Sequence, residues 1–251
     1  MGEEYHKGLP VTAHQISVAE SFFRNLDARA MPRYTYGEAS RYLGIPESTL
    51  RAWFVGMSYG KLPDQKWFTP FLVPSSPDLL SFYDISSAHV LLAMKKKGVS
   101  QEDLRWIVQV LRNDRRFDSR YPLLGRNFWL FGKRIVVKEL GKRLTLSRRG
   151  VQLGLREIID RFLSRLETDK DRMPIRLSPL RTLHERGKGY IVIDPNLASG
   201  RPVIKGTGIA AEVIFKRKKS GESEARLAKD YRISPRAVKE AIKYFPARKA
   251  A

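Results

Sequence analysis

Residues 199–223, SGRPVIKGTGIAAEVIFKRKKSGES, hold the closest approach to phosphate-binding chemistry in the chain. A P-loop needs two glycines around four residues, then lysine and a hydroxyl, so that backbone N–H groups cradle phosphate while the ammonium neutralises it. Here Thr207 follows Gly206 where lysine should stand, and the spacing from Gly200 is wrong. A dinucleotide loop needs Gly-x-Gly-x-x-Gly after a strand of a doubly wound sheet. GTGIAA puts Ala211 at the last glycine place, and no such sheet surrounds it. The segment fits another use better: a short extended piece, a cap at Thr207, and a helix over 209–219 burying Ile209, Val213 and Ile214. The basic run Lys216, Arg217, Lys218, Lys219 then calls for an anionic partner.

Other reactive groups are scattered. His6, His14, His89 and His184 lack the spacing of metal ligands, and His89 fits a packed or solvated helix position. The carboxylates of EIIDRFLSRLETDKD alternate with arginines, the pattern of a solvated helix face. With no cysteine, disulfides, thiolate zinc sites and cysteine nucleophiles are excluded, which fits a reducing cytosol. We expect no catalytic residues, no metal and no cofactor; a nucleic-acid-processing enzyme is the remote alternative.

Charge points to the partner. Lys and Arg number 47 against 26 Asp and Glu, a formal net charge of +21. The excess runs along the whole chain, so it belongs to folded surfaces and favours nucleic acid over an electrostatic membrane anchor. Hydrophobic residues at 42% exclude wholesale disorder, and 251 residues allow two or three small domains. Residues 1–15 lack a signal-peptide core, and no apolar run approaches the roughly 20 residues of a membrane span. A cytoplasmic protein is expected.

The elements that would present this charge can be read in order. A flexible arm is expected over 1–15 and a short helix over 16–26. Helices over 37–43 and 46–55, joined at Gly44, have helix-turn-helix spacing with Ala39, Leu43, Ile45, Leu50, Trp53 and Phe54 inside. Residues 61–71 suit a wing. A helix over 84–97 follows, burying Ile85, Ala88, Leu91 and Leu92 and stopping at Gly98. The next is capped by Ser100 and striped by Leu104, Ile107, Val108 and Leu111. Residues 128–147 form a three-stranded β-meander broken at Gly132-Lys133 and Leu140-Gly141. A long helix then carries Val151, Leu155, Ile158, Ile159, Phe162 and Leu166 on one face. Extended segments lead to three C-terminal helices. The second turns Ala225, Leu227 and Ala228 inward. The third has Ser234 as N-cap, Pro235 first, and Val238, Ala241, Ile242 and Phe245 inside. From Pro195 onward there are 14 Lys and Arg against 5 Asp and Glu, a net +9, with Arg236, Lys239 and Lys243 sharing one helix face.

The C-terminal stretch resembles the domain of unknown function 433, a domain found in VapB-type antitoxins. Asp194-Pro195, Gly200, Pro202, Ile204 to Thr207, Asp230-Tyr231 and Ala241-Ile242 carry the likeness. Gly208 and Ala210 stand where that family usually has arginine and proline. YTYGEASRYLGIPESTLRAWF resembles the opening of a MerR-type regulator, with Pro46-Glu47 in place of serine-proline. These resemblances imply a bacterial DNA-binding repressor that also neutralises a PIN-like ribonuclease toxin and controls its own operon. A stand-alone MerR-like transcription factor is the alternative.

The expected fold is mainly α, in the α+β class. Residues 16–125 form a MerR-like winged helix-turn-helix, 126–190 a meander and helix serving a dimer or toxin interface, and 191–251 a three-helix, helix-turn-helix-like domain. The expected DNA-contacting residues are Ser48, Thr49, Arg51, Lys61, Lys66, Lys216, Arg217, Lys218, Lys219, Ser234, Arg236, Lys239 and Lys243. Arg51 is the candidate base reader, since a guanidinium grips guanine bidentately. A homodimer on a palindromic double-stranded operator completes the expectation, with no membrane partner.

Overall fold

The computed structural model describes residues 27–61, 63–96, 98–113, 119–125, 127–131, 134–139, 142–146, 164–179 and 189–245. The expected arm over 1–15, the helix over 16–26, the helical stripe from Val151 to Phe162 and the tail 246–251 lie outside those residues. Among the described residues the fold is α+β, with seven α-helices and small antiparallel sheets.

The N-terminal unit starts with β1 (Tyr34–Thr35) and α1 (Tyr36–Leu43). Thr35 caps α1 reciprocally: its hydroxyl accepts from the Glu38 amide, and the Glu38 carboxylate accepts from the Thr35 amide at 2.9 Å. Gly44 ends the helix at φ 65°, a conformation cheap only without a Cβ. The Ser40 hydroxyl donates to the Ile45 carbonyl at 2.6 Å, fixing the turn. Helix α2 (Glu47–Phe54) follows; its N-cap Pro46 offers no side-chain hydrogen bond, and Glu47 sits in the first turn. Leu43, Leu50, Trp53 and Phe54 are buried, each worth about 2 kcal/mol of transfer energy.

The hairpin after α2 begins earlier than 61. Strand β2 (Met57–Tyr59) pairs antiparallel with β3 (Lys66–Phe68), Ser58 opposite Trp67. Gly56, at φ 89°, lets the chain turn straight from the helix into β2, with the Trp67 ring against its Cα. The chain returns through Phe71 and Leu72, whose amides donate to the Trp53 carbonyl, and β4 (Leu79–Leu80) then pairs with β1.

Helix α3 (Phe82–Lys96) is buried on every side from Phe82 to Met94, as a central core helix must be. Its start uses Ser81 and Asp84, each accepting from the other's amide, and Asp84 also accepts from the Ser75 amide. Helix α4 (Gln101–Arg112) is capped by Ser100 and buries its expected stripe, Leu104, Ile107, Val108 and Leu111. Arg105 reaches back to the Thr69 carbonyl and stacks on Phe71, tying α4 to the segment after the hairpin.

Strands β5 (Asn127–Phe131), β6 (Arg134–Glu139) and β7 (Lys142–Leu146) form the expected antiparallel meander. Leu166 is not helical, as the apolar period had suggested. It lies in β8 (Leu166–Thr168), paired with β9 (Pro174–Leu177). Strands β10 (Ile191–Ile193) and β11 (Pro202–Ile204) complete a four-stranded sheet in the order β11-β10-β9-β8. This sheet joins strands from both sides of residue 190.

Three helices close the chain: α5 (Ala211–Lys219), α6 (Glu224–Tyr231) and α7 (Pro235–Tyr244). Thr207 does not cap α5. Its hydroxyl accepts from the Ile209 amide and donates to the Ile204 carbonyl, closing the KGTG turn on itself. Ala210 bridges Val203, so α5 starts later than 209 and its inward face rotates. Ala211 and Ile214 are buried while Val213 is exposed. In α6 only Leu227 is fully buried; Ala228 is half-buried and Ala225 exposed. In α7, Ser234 accepts from the Ala237 amide as expected, and Ala237, Val238, Ala241 and Tyr244 face the core.

One ionic network laces the sheet. Arg176 contacts Glu167 and Asp194, and Lys205 contacts Glu167 at 2.5 Å. The Lys205 ammonium and then Arg176 hold the Glu167 carboxyl below its ordinary 4.5. Burial pushes Asp27 upward, but hydrogen bonds from Arg29 and Tyr83 outweigh it and keep the carboxyl below 3.8. Folded-state values lowered in this way stabilise fully above the unfolded values and lose that contribution as pH falls through the folded ones. We therefore expect a flat melting temperature from pH 7 to 5 and a decline below the ordinary carboxyl values of 4.5 and 3.8. Glu167→Gln should weaken that decline in a pH series of thermal melts.

Candidate nucleic-acid interface

Two pairs of helices joined by short turns, α1 with α2 and α6 with α7, present polar faces. On α2, Ser48 is exposed, Thr49 half-buried and Arg51 half-exposed. Ser48 and Arg51 lie one turn apart and face outward, because Leu50, Trp53 and Phe54 occupy the inward positions. The Arg51 guanidinium is held in place: Nε donates to Glu47 Oε1 at 2.9 Å, and the group lies 4.5 Å over the Tyr36 ring. Glu47 offsets part of its charge, so this face is polar rather than strongly positive. Lys61 and Lys66 are exposed on the adjoining hairpin, with Lys66 opposite Tyr59.

The C-terminal pair is different. Helix α7 carries four charges, and its one acid, Glu240, is buried against the sheet. Arg236, Lys239 and Lys243 are exposed and share the solvent-facing side of the helix, three and four residues apart. The outward side of α7 is therefore purely cationic. The Ser234 hydroxyl in front of it is engaged as the cap.

The basic run on α5 is heterogeneous. Lys219 is exposed and Lys218 half-buried. Lys216 pairs with Glu212 at 2.8 Å, one turn back. Arg217 grips Glu222 and Asp230 and lies 5.1 Å over the Tyr231 ring, so it clasps the α5–α6 turn. Its hydrogen bonds to Glu222 and the other acceptors raise its pKa further above the arginine value. The structure thus gathers Arg236, Lys239 and Lys243 on one surface and Ser48, Arg51, Lys61 and Lys66 on the other unit. It turns Arg217 inward to a structural contact.

Two features had no strong signal in the chain. Glu240 Oε1 accepts from the Tyr190 and Ile191 amides at 2.7 and 3.2 Å, pinning α7 to β10. Arg41 and Arg201, far apart in sequence, line one cleft. The Thr35/Glu38 box did have a signal, in the spacing TYGE.

Among the described residues, no group of three His, Asp or Glu side chains comes together as a metal site. No helix among them is long and apolar enough to cross a membrane.

Comparison with known proteins gives three results. Residues 191–245 match the family described as "Protein of unknown function (DUF433)". The chain is 27% identical over 233 residues to "Putative antitoxin VapB45" of Mycobacterium tuberculosis, covering 84% of this chain and 93% of that protein. The crystal structure of Rv2018 from Mycobacterium tuberculosis superposes with a TM-score of 0.51 at 20% identity. That match covers 85% of this chain and 98% of the other, and it speaks to the fold. The chain is thus antitoxin-like in sequence over most of its length, and its last 55 described residues carry the domain match.

Proposed function

We propose that this protein is a DNA-binding antitoxin that represses its own operon and neutralises a toxin encoded beside it. The observation that carries the DNA half is the acid-free outer face of α7, set in a chain of net charge +21. Duplex DNA is the anionic surface that a row of cations on one helix fits, through phosphate contacts and counterion release. Helix α7 sits as the second helix of a helix–turn–helix pair, the position that enters the major groove in such motifs. The N-terminal unit, MerR-like and winged by β2–β3, adds Ser48, Thr49, Arg51, Lys61 and Lys66. Arg51 reads a base, and its hold by Glu47 and Tyr36 pre-orients it. On α5, Lys216, Lys218 and Lys219 add phosphate contacts.

The toxin half is supported by the similarity to "Putative antitoxin VapB45" across most of both chains. Its partner is a PIN-like ribonuclease in the cytoplasm. The β5–β7 meander forms the interface with that partner or with a second copy in a homodimer.

Co-expression tests the toxin half. The product of the adjacent gene should arrest growth alone, lose that effect with this chain, and co-purify with it. A neighbour that is harmless alone, or that does not co-purify, would leave a stand-alone regulator. Electrophoretic titration tests the DNA half: a complex with upstream duplex should survive excess unrelated duplex. A complex erased by that competitor would show only non-specific charge attraction.

A further inference from the structure

A cleft of about 400 Å³ opens where the two helical units meet. One wall is α1, with Glu38, Arg41 and Tyr42; the other is the start of β11 with α5 and α7, giving Arg201, Glu212 and Tyr244. Its size falls in the range of small-ligand sites, roughly 300–1,000 Å³, and unit boundaries are where such sites concentrate.

The acids of this cleft are already engaged. Glu38 Oε2 accepts from the Thr35 amide and hydroxyl, and Glu212 is paired with Lys216. Arg41 and Arg201 are exposed, and the described contacts give neither an ion-pair partner. Both lie near the same ring. Burial raises the Tyr42 hydroxyl above its ordinary value, and the charges of Glu38, Arg41, Arg201 and Glu212 all act on it. Behind the cations stands an aromatic wall: Tyr42 stacks on Tyr244 at 6.5 Å between centroids, and Phe245 meets Tyr244 edge-on at 5.1 Å. Two guanidiniums suit a phosphate, which each can grip through paired N–H donors. Tyr42 and Tyr244 are nearly buried against each other, and the half-buried Phe245 of the lining is the ring that a planar body can lie beside; the second oxygens of Glu38 and Glu212 suit hydroxyl or amino donors.

We propose that this cleft binds a phosphorylated planar ligand of mononucleotide size, its phosphate held by Arg41 and Arg201. The site is separate from the KGTG turn, and its occupancy is independent of whether the chain binds DNA.

Calorimetric titration of the full chain with AMP, GMP, adenosine and inorganic phosphate, at physiological salt and without DNA, tests it. A mononucleotide should bind saturably at one site per chain, more tightly than phosphate, while adenosine should not bind. Arg41→Ala and Arg201→Ala should each weaken that binding about tenfold, the loss of one charge-assisted contact. Lys170→Ala, the same loss of charge on an exposed turn, should leave it unchanged. Absent saturation, equal binding of phosphate and mononucleotide, or equal weakening by Lys170→Ala would each overturn the proposal.

Discussion

Gly200→Ala is expected to destabilise the protein by about 3 kcal/mol, because an alanine there pays twice: left-handed backbone costs about 1–2 kcal/mol and overpacking about 1–3. Gly200 stands at φ +77°, after Ala198 and Ser199, which also have positive φ. A Cβ at this position would run into the Tyr34 hydroxyl, with Tyr34 Cζ at 3.0 Å and Arg33 Cδ at 3.1 Å. Tyr34 is buried and belongs to the first strand, while Arg33 donates to the Pro195 carbonyl at 2.9 Å. The loop before β11 is therefore seated directly on the N-terminal unit, and Gly200 is the point of closest approach. A change of this size lowers the melting temperature by roughly 6–12 °C in a chain of this length. Gly206→Ala is the matched comparison: its φ is +79°, but a Cβ there meets nothing within 4 Å. It should cost only the backbone part, about 1 kcal/mol. Equal melting temperatures for the two variants would show that the Tyr34 contact contributes nothing.

Glu240→Ala should be comparably severe, near 3 kcal/mol, since the buried Ile191 amide and the part-buried Tyr190 amide lose their acceptor and each orphaned group costs about 1–3 kcal/mol. The carboxylate is buried on the sheet side of α7 and receives the Tyr190 and Ile191 amides. Ile191 opens β10, the strand that pairs with both β11 and β9. Losing the acceptor frees the start of β10, an inner strand of the sheet, from the helix that carries the cationic face. Glu240→Gln keeps one oxygen acceptor and should recover most of the stability. Chemical denaturation of the three forms measures the order: wild type, then Gln, then Ala. An alanine variant as stable as wild type would refute the anchoring role.

Long, regular elements were the most legible in the sequence. The stripe Leu104, Ile107, Val108, Leu111 and the cap Ser100 could be read because twelve helical residues repeat the same face several times. The meander was legible through its two glycine-containing breaks. The sheet β8–β11 was not, because strands of three and four residues are too short to show alternation. Their pairing comes from segments far apart in the chain. That is why Leu166 read as the end of a helix. Val213 was misplaced by a shift of start: a backbone bridge at Ala210 delays α5, and each residue of delay turns its face by about 100°. At the candidate site, the shared face of Arg236, Lys239 and Lys243 followed from helical spacing alone. The internal grip of Arg217 on Glu222 and Asp230 did not, since a run KRKK gives no sign of which cation turns inward. The Arg41–Arg201 cleft depends on the packing of two units and left no local trace.

The salt dependence of binding to the chain's own upstream duplex tests the central claim most directly. Wild type and a variant with Arg236, Lys239 and Lys243 all changed to alanine would be titrated across the same salt series. All three side chains are exposed, so the variant should keep the wild-type melting temperature. Each phosphate contact contributes about 0.9 to the slope of log affinity against log salt, so three lost contacts should make the slope shallower by about 2.7. That result, with weaker binding at every salt concentration, is what a phosphate-gripping α7 predicts. An unchanged slope in a well-folded variant would contradict it and leave α7 outside the DNA interface.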